Sequence, residues 1–128
     1  MKFLLDTHIW LWLIGNRVKL AAGLLKDLQN TDNEIWLSPI SIWEALTLHR
    51  KGRMFLGPNL AAWVAHAVSG TKEAAFTHEI VLAAMQLSLH QDPADRFLAA
   101  TAQVLDLILV TADQRLLGLG NIRTLANR

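Results

Sequence analysis

The sequence predicts an α/β fold: a single domain in which a small, mostly parallel sheet is flanked by helices on both faces. Three observations carry this. Short apolar runs, "KFLLD" at 2–6, "EIWLS" at 34–38 and "LILVT" at 107–111, read as buried strands. Between them lie stretches with helical spacing, the crossovers that parallel neighbours need. The length of 128 residues is enough for one core and too little for two.

Taken in order, the strand at 2–6 ends on Asp6, and "THIWLWLIG" (7–15) follows as a helix that stops at Gly15. Residues 18–30, "VKLAAGLLKDLQN", repeat Leu and Ala at helical spacing. After the strand at 34–38, Pro39 opens the helix "PISIWEALTLHRKG", because proline's fixed φ suits the first helical position, and Gly52 closes it. "GPNLAAWVAHAVSG" (57–70) is a helix with glycine at each boundary, and "EAAFT" (73–77) a short strand before the helix "HEIVLAAMQLSLH" (78–90). A new helix then starts at "DPAD", with Asp92 as N-cap, Pro93 at the first position and an acid, Asp95, in the first turn. It feeds the strand at 107–111, after which "ADQRLLGL" (112–119) is a short helical piece and "NIRTL" (121–125) the last strand. No internal repeat, low-complexity tract or linker interrupts the pattern.

Composition excludes several function classes. The absence of cysteine removes disulfides, thiolate metal sites and cysteine nucleophiles together. A formal net charge of +1 gives no global field for nucleic acid, so any such contact depends on local patches. Hydrophobic residues make up 52% of the chain and five of its residues are Trp, a surplus that implies apolar surface covered by a partner. After Lys2 the run "FLLDTHIWLWLIG" is broken by Asp6 and His8 and is followed by no small-residue cleavage site. No stretch approaches the roughly 20 apolar residues of a spanning helix. The expectation is a soluble, cytoplasmic protein without membrane contact.

Chemistry enters with the acids. In parallel α/β folds, function collects beyond the carboxyl ends of the strands. Asp6 ends the first strand, Asp113 lies just past "LILVT", and Asp95 lies in the first turn of the helix feeding that strand. Helix capping is an adequate account of Asp92, and it also suits Asp6, Asp95 and Asp113 taken singly. Glu44 differs. It sits about a turn inside its helix, shares a face with Ile40 and Leu48 and is flanked by Trp43 and Ala45, so it is either functional or the buried partner of an Arg. Clustered carboxylates without soft ligands favour a hard divalent cation, Mg²⁺ or Mn²⁺, which keeps them ionised together. Such a cation suits phosphodiester hydrolysis.

The segments "FLLDTHIWLW", "SPISIWEALTLHRKGR", "HQDPADRFLAATAQ" and "LILVTAD" resemble, in this order and over nearly the whole chain, the successive motifs of the PIN-domain family and specifically its VapC-type toxins of bacterial toxin–antitoxin pairs. The resemblance implies one PIN-like nuclease domain over residues 1–128. It implies that Asp6, Glu44, Asp95 and Asp113 correspond to the acidic quartet that holds Mg²⁺ or Mn²⁺, with Glu44 as ligand or water-orienting group. Asp92, Arg96 and Thr111 correspond to positions that brace or border the site. The activity so implied is a metal-dependent endoribonuclease leaving 5′-phosphate and 3′-hydroxyl ends, with transfer or ribosomal RNA as substrate. The partners implied are a second copy of the chain and a small antitoxin that inserts a segment over the acidic site.

Other polar and aromatic residues weigh less. His8, two residues after Asp6, is placed to line the site, and His90 precedes the acid pair where it could touch substrate; His49, His66 and His78 share no spacing and read as surface or packing residues. The five Trp fall in predicted elements and read as core or interface. "HRKGR" (49–53) could steer RNA phosphates, or could simply complement a helix C-terminus. Two rival readings stay open. One is a Mg²⁺-binding phosphoacceptor or phosphatase-like domain, disfavoured because His8 stands where a second Asp would be expected and no Lys lies near the late strand. The other is a catalytically silent PIN-fold interaction module.

Overall fold

The computed structural model describes residues 1–88 and 92–128. Five strands, β1 (Lys2–Leu5), β2 (Glu34–Leu37), β3 (Lys72–Glu73), β4 (Ile108–Thr111) and β5 (Arg123–Ala126), form one sheet in the order β3-β2-β1-β4-β5. Every pairing in it is parallel. The helices are α1 (Thr7–Gly15), α2 (Ala22–Gln29), α3 (Pro39–Arg50), α4 (Leu60–Ala67), α5 (His78–Met85), α6 (Pro93–Leu105) and α7 (Gln114–Leu117), with a 3₁₀ turn at Arg17–Lys19. None of the described helices is long and apolar enough to cross a membrane.

Strand pleating sorts the apolar residues into two cores. Side chains alternate across a sheet, so Phe3 and Leu5 of β1 join Ile108 and Val110 of β4 on one face, against Ile9 and Trp10 of α1 and Leu24 and Leu28 of α2. Leu4 and Leu109 point the other way, toward Ile80 of α5, Leu98 of α6 and Leu116 of α7. The central strands are thus covered on both sides, which is why their sequences carry no polar alternation. Trp10 is the largest fully buried side chain, and its indole N–H donates to the Ala67 carbonyl at 3.1 Å, joining α1 to α4. Burial of such a side chain stabilises by about 3 kcal/mol.

Local chemistry moves several boundaries away from the sequence expectation. The helix expected over 57–70 is confined to Leu60–Ala67, because the Asn59 side chain accepts from Ala62 N and caps it late. Gly57 and Gly70, at φ +94° and +82°, turn the chain outside it. The helix expected over 18–30 divides into the 3₁₀ turn and α2. The strand expected at 73–77 shrinks to β3, since only Lys72 and Glu73 pair with β2, and Thr77 is already the N-cap of α5. That helix stops at Met85 instead of running to 90. The last strand lies at 123–126 rather than 121–125, in register with β4.

The strand order positions the site. From β1 the chain moves outward to β2 and β3, then returns across the sheet to β4 and β5 on the other side of β1. Between β1 and β4 the connections therefore diverge, and a crevice opens beyond the carboxyl ends of these two strands. The backbone N–H of Asp6 donates to the Val110 carbonyl at 2.9 Å, so pairing persists up to the crevice.

Candidate functional site

A cleft of about 390 Å³ at that edge is lined by Asp6, Glu44, Asp92, Asp95 and Asp113, with Thr7, His8, Trp12, Ala112 and Arg115. The sequence-predicted quartet is therefore brought together from four elements. Asp6 is the residue between β1 and α1, Glu44 comes from α3, Asp95 from the first turn of α6, and Asp113 from the connection after β4. A larger groove of about 490 Å³ lies between α1, α4 and residues 54–56, and none of these acids lines it.

Each carboxylate is held by protein donors. Asp6 is the N-cap of α1: its Oδ1 accepts from Thr7 N at 2.8 Å, and its Oδ2 accepts from the buried Thr111 hydroxyl at 2.6 Å. The same Thr111 oxygen accepts from Asp113 N at 3.0 Å, so one hydroxyl links the two strand-end acids. Glu44 accepts from the Thr7 hydroxyl, which also lies 2.9 Å from the Ser41 hydroxyl, and both of these hydroxyl residues are buried. Asp113 caps α7 by accepting from Arg115 N at 2.9 Å. The Arg115 guanidinium returns to the same carboxylate, Nη2 to Oδ2 at 3.0 Å, and stands 3.8 Å from Asp95 Oδ2.

Burial and mutual repulsion govern the charges. Burial pushes the Asp6 carboxyl above its ordinary range, against the hydrogen bonds from Thr111 and Thr7 and the charge of His8, and Asp113 adds to the rise. Glu44 is raised as well, first by burial and then by the negative charges of Asp6, Asp92 and Asp95, with the Thr7 hydroxyl opposing. Among the described residues no three carboxylate or imidazole groups converge on one point as a metal-ligand set. Asp6 turns to Thr7 and Thr111, Glu44 to Thr7, and Asp113 to Arg115. The donor chemistry nevertheless fits a hard divalent cation, since the cleft offers carboxylate and hydroxyl oxygens and two of its acids are held in unfavourable ionisation.

The accompanying residues divide. Asp92 is the N-cap of α6, accepting from Ala94 N at 3.0 Å, and it borders the cleft. Arg96 lies outside the residues lining it: its guanidinium donates to the Ala84 and Leu87 carbonyls at 2.8 and 3.2 Å, tying the end of α5 to α6. His8 lines the cleft and packs edge-on to Trp12. His90 lies outside the described residues. The basic run 49–53 closes α3, with His49 and Arg50 in its last turn, away from the cleft. Among the Trp, Trp10 is buried, Trp12, Trp36 and Trp63 are half-buried, and Trp43 is 64% exposed. Thr7, Ser41 and Arg115 were not singled out by the sequence. The only signal for the first was a hydroxyl directly after a strand-end acid.

Comparison with known proteins gives a consistent picture. The PIN domain family model matches residues 3–121. Ribonuclease VapC22 of Mycobacterium tuberculosis is 29% identical over 115 residues, covering 88% of each chain. Among solved structures, the DNA-bound VapBC of Salmonella typhimurium superposes with a TM-score of 0.76 at 19% identity, over 100% of this chain and 99% of that one. A toxin–antitoxin complex from Klebsiella pneumoniae gives 0.70 at 20% identity, over 98% and 97%.

Proposed function

The chain belongs to the PIN domain family, and from that membership we propose that it is a divalent-cation-dependent endoribonuclease, the toxin of a toxin–antitoxin pair. The observation that carries this reading is the convergence of Asp6, Glu44, Asp95 and Asp113 on one cleft at the switch point of the sheet. The relative named a ribonuclease and the toxin–antitoxin complexes of the same fold support the substrate class and the antitoxin partner. Transfer or ribosomal RNA in the cytoplasm is the substrate. The protein acts as a homodimer, a reading supported by exposed apolar side chains such as Trp43, Leu82 and Met85.

In this reading Asp6, Asp95 and Asp113 would hold Mg²⁺ or Mn²⁺, and Glu44 would hold it as well or orient water. The bound cation supplies positive charge that lowers the pKa of a water and offsets charge on a phosphoryl oxygen. The chain does the positioning. Thr111 fixes Asp6 and the start of the Asp113 turn together, so the two strand-end acids move as one unit. Thr7, itself braced by Ser41, holds Glu44 toward the cleft from the opposite wall. Attack of water on phosphorus with cleavage of the P–O3′ bond leaves 5′-phosphate and 3′-hydroxyl ends, whereas attack by the 2′-hydroxyl would break the P–O5′ bond and leave a 2′,3′-cyclic phosphate and a 5′-hydroxyl.

The test is incubation of purified, antitoxin-free protein with total RNA and Mn²⁺ or Mg²⁺, against EDTA and against Asp95→Asn, with product ends mapped. Cleavage that leaves 5′-phosphates, and that both EDTA and the substitution abolish while the circular dichroism spectrum is retained, is the expected result. Cuts indifferent to EDTA and to the substitution would remove the assignment.

A further inference from the structure

We infer that Arg115 is a built-in counterion of the acidic cleft, a positioning residue against which a divalent cation competes for Asp113 and Asp95; the inference rests on the reading of these acids as cation-binding. The geometry is specific to this side chain. Asp113 anchors the Arg115 backbone through the 2.9 Å cap bond, and the guanidinium then folds back to span both oxygens of the same carboxylate, Nε to Oδ1 at 3.3 Å and Nη2 to Oδ2 at 3.0 Å. From there Nη2 reaches 3.8 Å from Asp95 Oδ2, bridging the connection after β4 and the first turn of α6. Arg115 also lines the cleft in which Asp6 and Glu44 stand.

Two cations cannot share these oxygens without cost. A hard divalent ion binds a carboxylate oxygen at about 2.0–2.6 Å, and a guanidinium spanning the same carboxylate would stand within contact range of it, where like charges repel. Coordination by Asp113 therefore requires Arg115 to open its fork. The side chain can do so: 60% of it is exposed, and the backbone N–H bond to Asp113 does not depend on the guanidinium. The cation affinity of the cleft is then the difference between carboxylate–cation attraction and the loss of the Arg115 bridge.

The experiment is titration of the intact, RNA-free chain with Mn²⁺, followed by isothermal calorimetry and by the electron paramagnetic resonance signal of free Mn²⁺. Arg115→Gln is expected to tighten Mn²⁺ binding roughly twofold to fivefold at low ionic strength, the order set by a solvent-exposed contact-range charge pair. Arg115→Lys should fall between the two, because an ammonium keeps the charge but cannot span both oxygens. Binding seen only in Arg115→Gln would be the same result in stronger form. Equal affinity in wild type and Arg115→Gln, lost in Asp6→Asn, would overturn the counterion role and leave the acids as cation ligands. No Mn²⁺ binding in either protein would remove the cation-site reading and the counterion with it.

Discussion

Glu44→Gln should make the protein more stable in EDTA at neutral pH while removing its cleavage activity. The amide is nearly isosteric and keeps an oxygen to accept from the Thr7 hydroxyl, so the Thr7–Ser41 contact survives. What disappears is a carboxylate whose ionised form burial and the neighbouring Asp6, Asp92 and Asp95 disfavour. Glu44 is only half-buried and solvent screens it, so relief of the charge is worth about 1 kcal/mol or less. For a chain of this length that corresponds to a rise in Tm of roughly 3–5 °C.

The pH dependence gives the sign. A carboxyl raised in the folded state binds more protons there than in the unfolded chain. Its contribution to stability is thus full below its ordinary value of 4.5 and is lost as pH rises through the folded value. Wild type and Glu44→Gln should therefore melt together in acid and separate above that window, with the variant higher. Addition of Mn²⁺ should raise the wild-type Tm by mass action and the variant's much less. Thermal melts followed by circular dichroism from pH 4 to 8, with and without Mn²⁺, check each step. A lower Tm for Glu44→Gln in EDTA at pH 7 would refute the reasoning, because the charge would then be stabilising the fold through a cationic partner.

Two further substitutions separate bracing from chemistry. Asp92→Ala removes the α6 cap and should cost about 1 kcal/mol, a fall in Tm of roughly 3–5 °C, while RNA cleavage at saturating Mn²⁺ stays within severalfold of wild type. Loss of activity as complete as that of Asp95→Asn would instead make Asp92 a ligand. Arg96→Ala should cost about 1.5–3 kcal/mol by stripping the end of α5 of a charged donor to the Ala84 and Leu87 carbonyls. Mn²⁺ affinity measured by calorimetry should not change, and a marked fall in it would place Arg96 in the site.

The sheet and the acidic edge were legible because they depend on short-range signals. A buried parallel strand needs an unbroken apolar run, and an acid directly after such a run has only one edge of the sheet at which to stand. Asp6 and Asp113 follow from this, and the start of α6 follows from the return of that helix to feed β4. Glu44 stood out for the complementary reason, being an acid on a helix face otherwise set aside for packing. The parts that were missed depend on contacts across the chain. Nothing near Thr7 in sequence indicates that its hydroxyl meets Glu44, 37 positions on. Arg115, in a helix of four residues, reads as one more solvated charge until the fold brings Asp95 within reach. Helix starts also moved where a side-chain cap such as Asn59 outweighed the nearest glycine.

Capping and cation binding looked like competing explanations of the same acids, and the structure makes them compatible. Asp6, Asp92 and Asp113 are all N-caps: α1 and α7 begin where β1 and β4 end, and α6, which runs back along the sheet to feed β4, begins at that same edge. The amino ends of α1 and α6 consequently face the same cleft, and their partial positive charge favours anions within the first turn. That field is an incomplete remedy: Asp6 remains raised even with two hydrogen bonds to its oxygens. A cleft built from helix caps thus concentrates more negative charge than its own backbone can neutralise. The remainder must come from outside the backbone: the Arg115 guanidinium supplies part of it, and the proposed divalent cation would supply the rest.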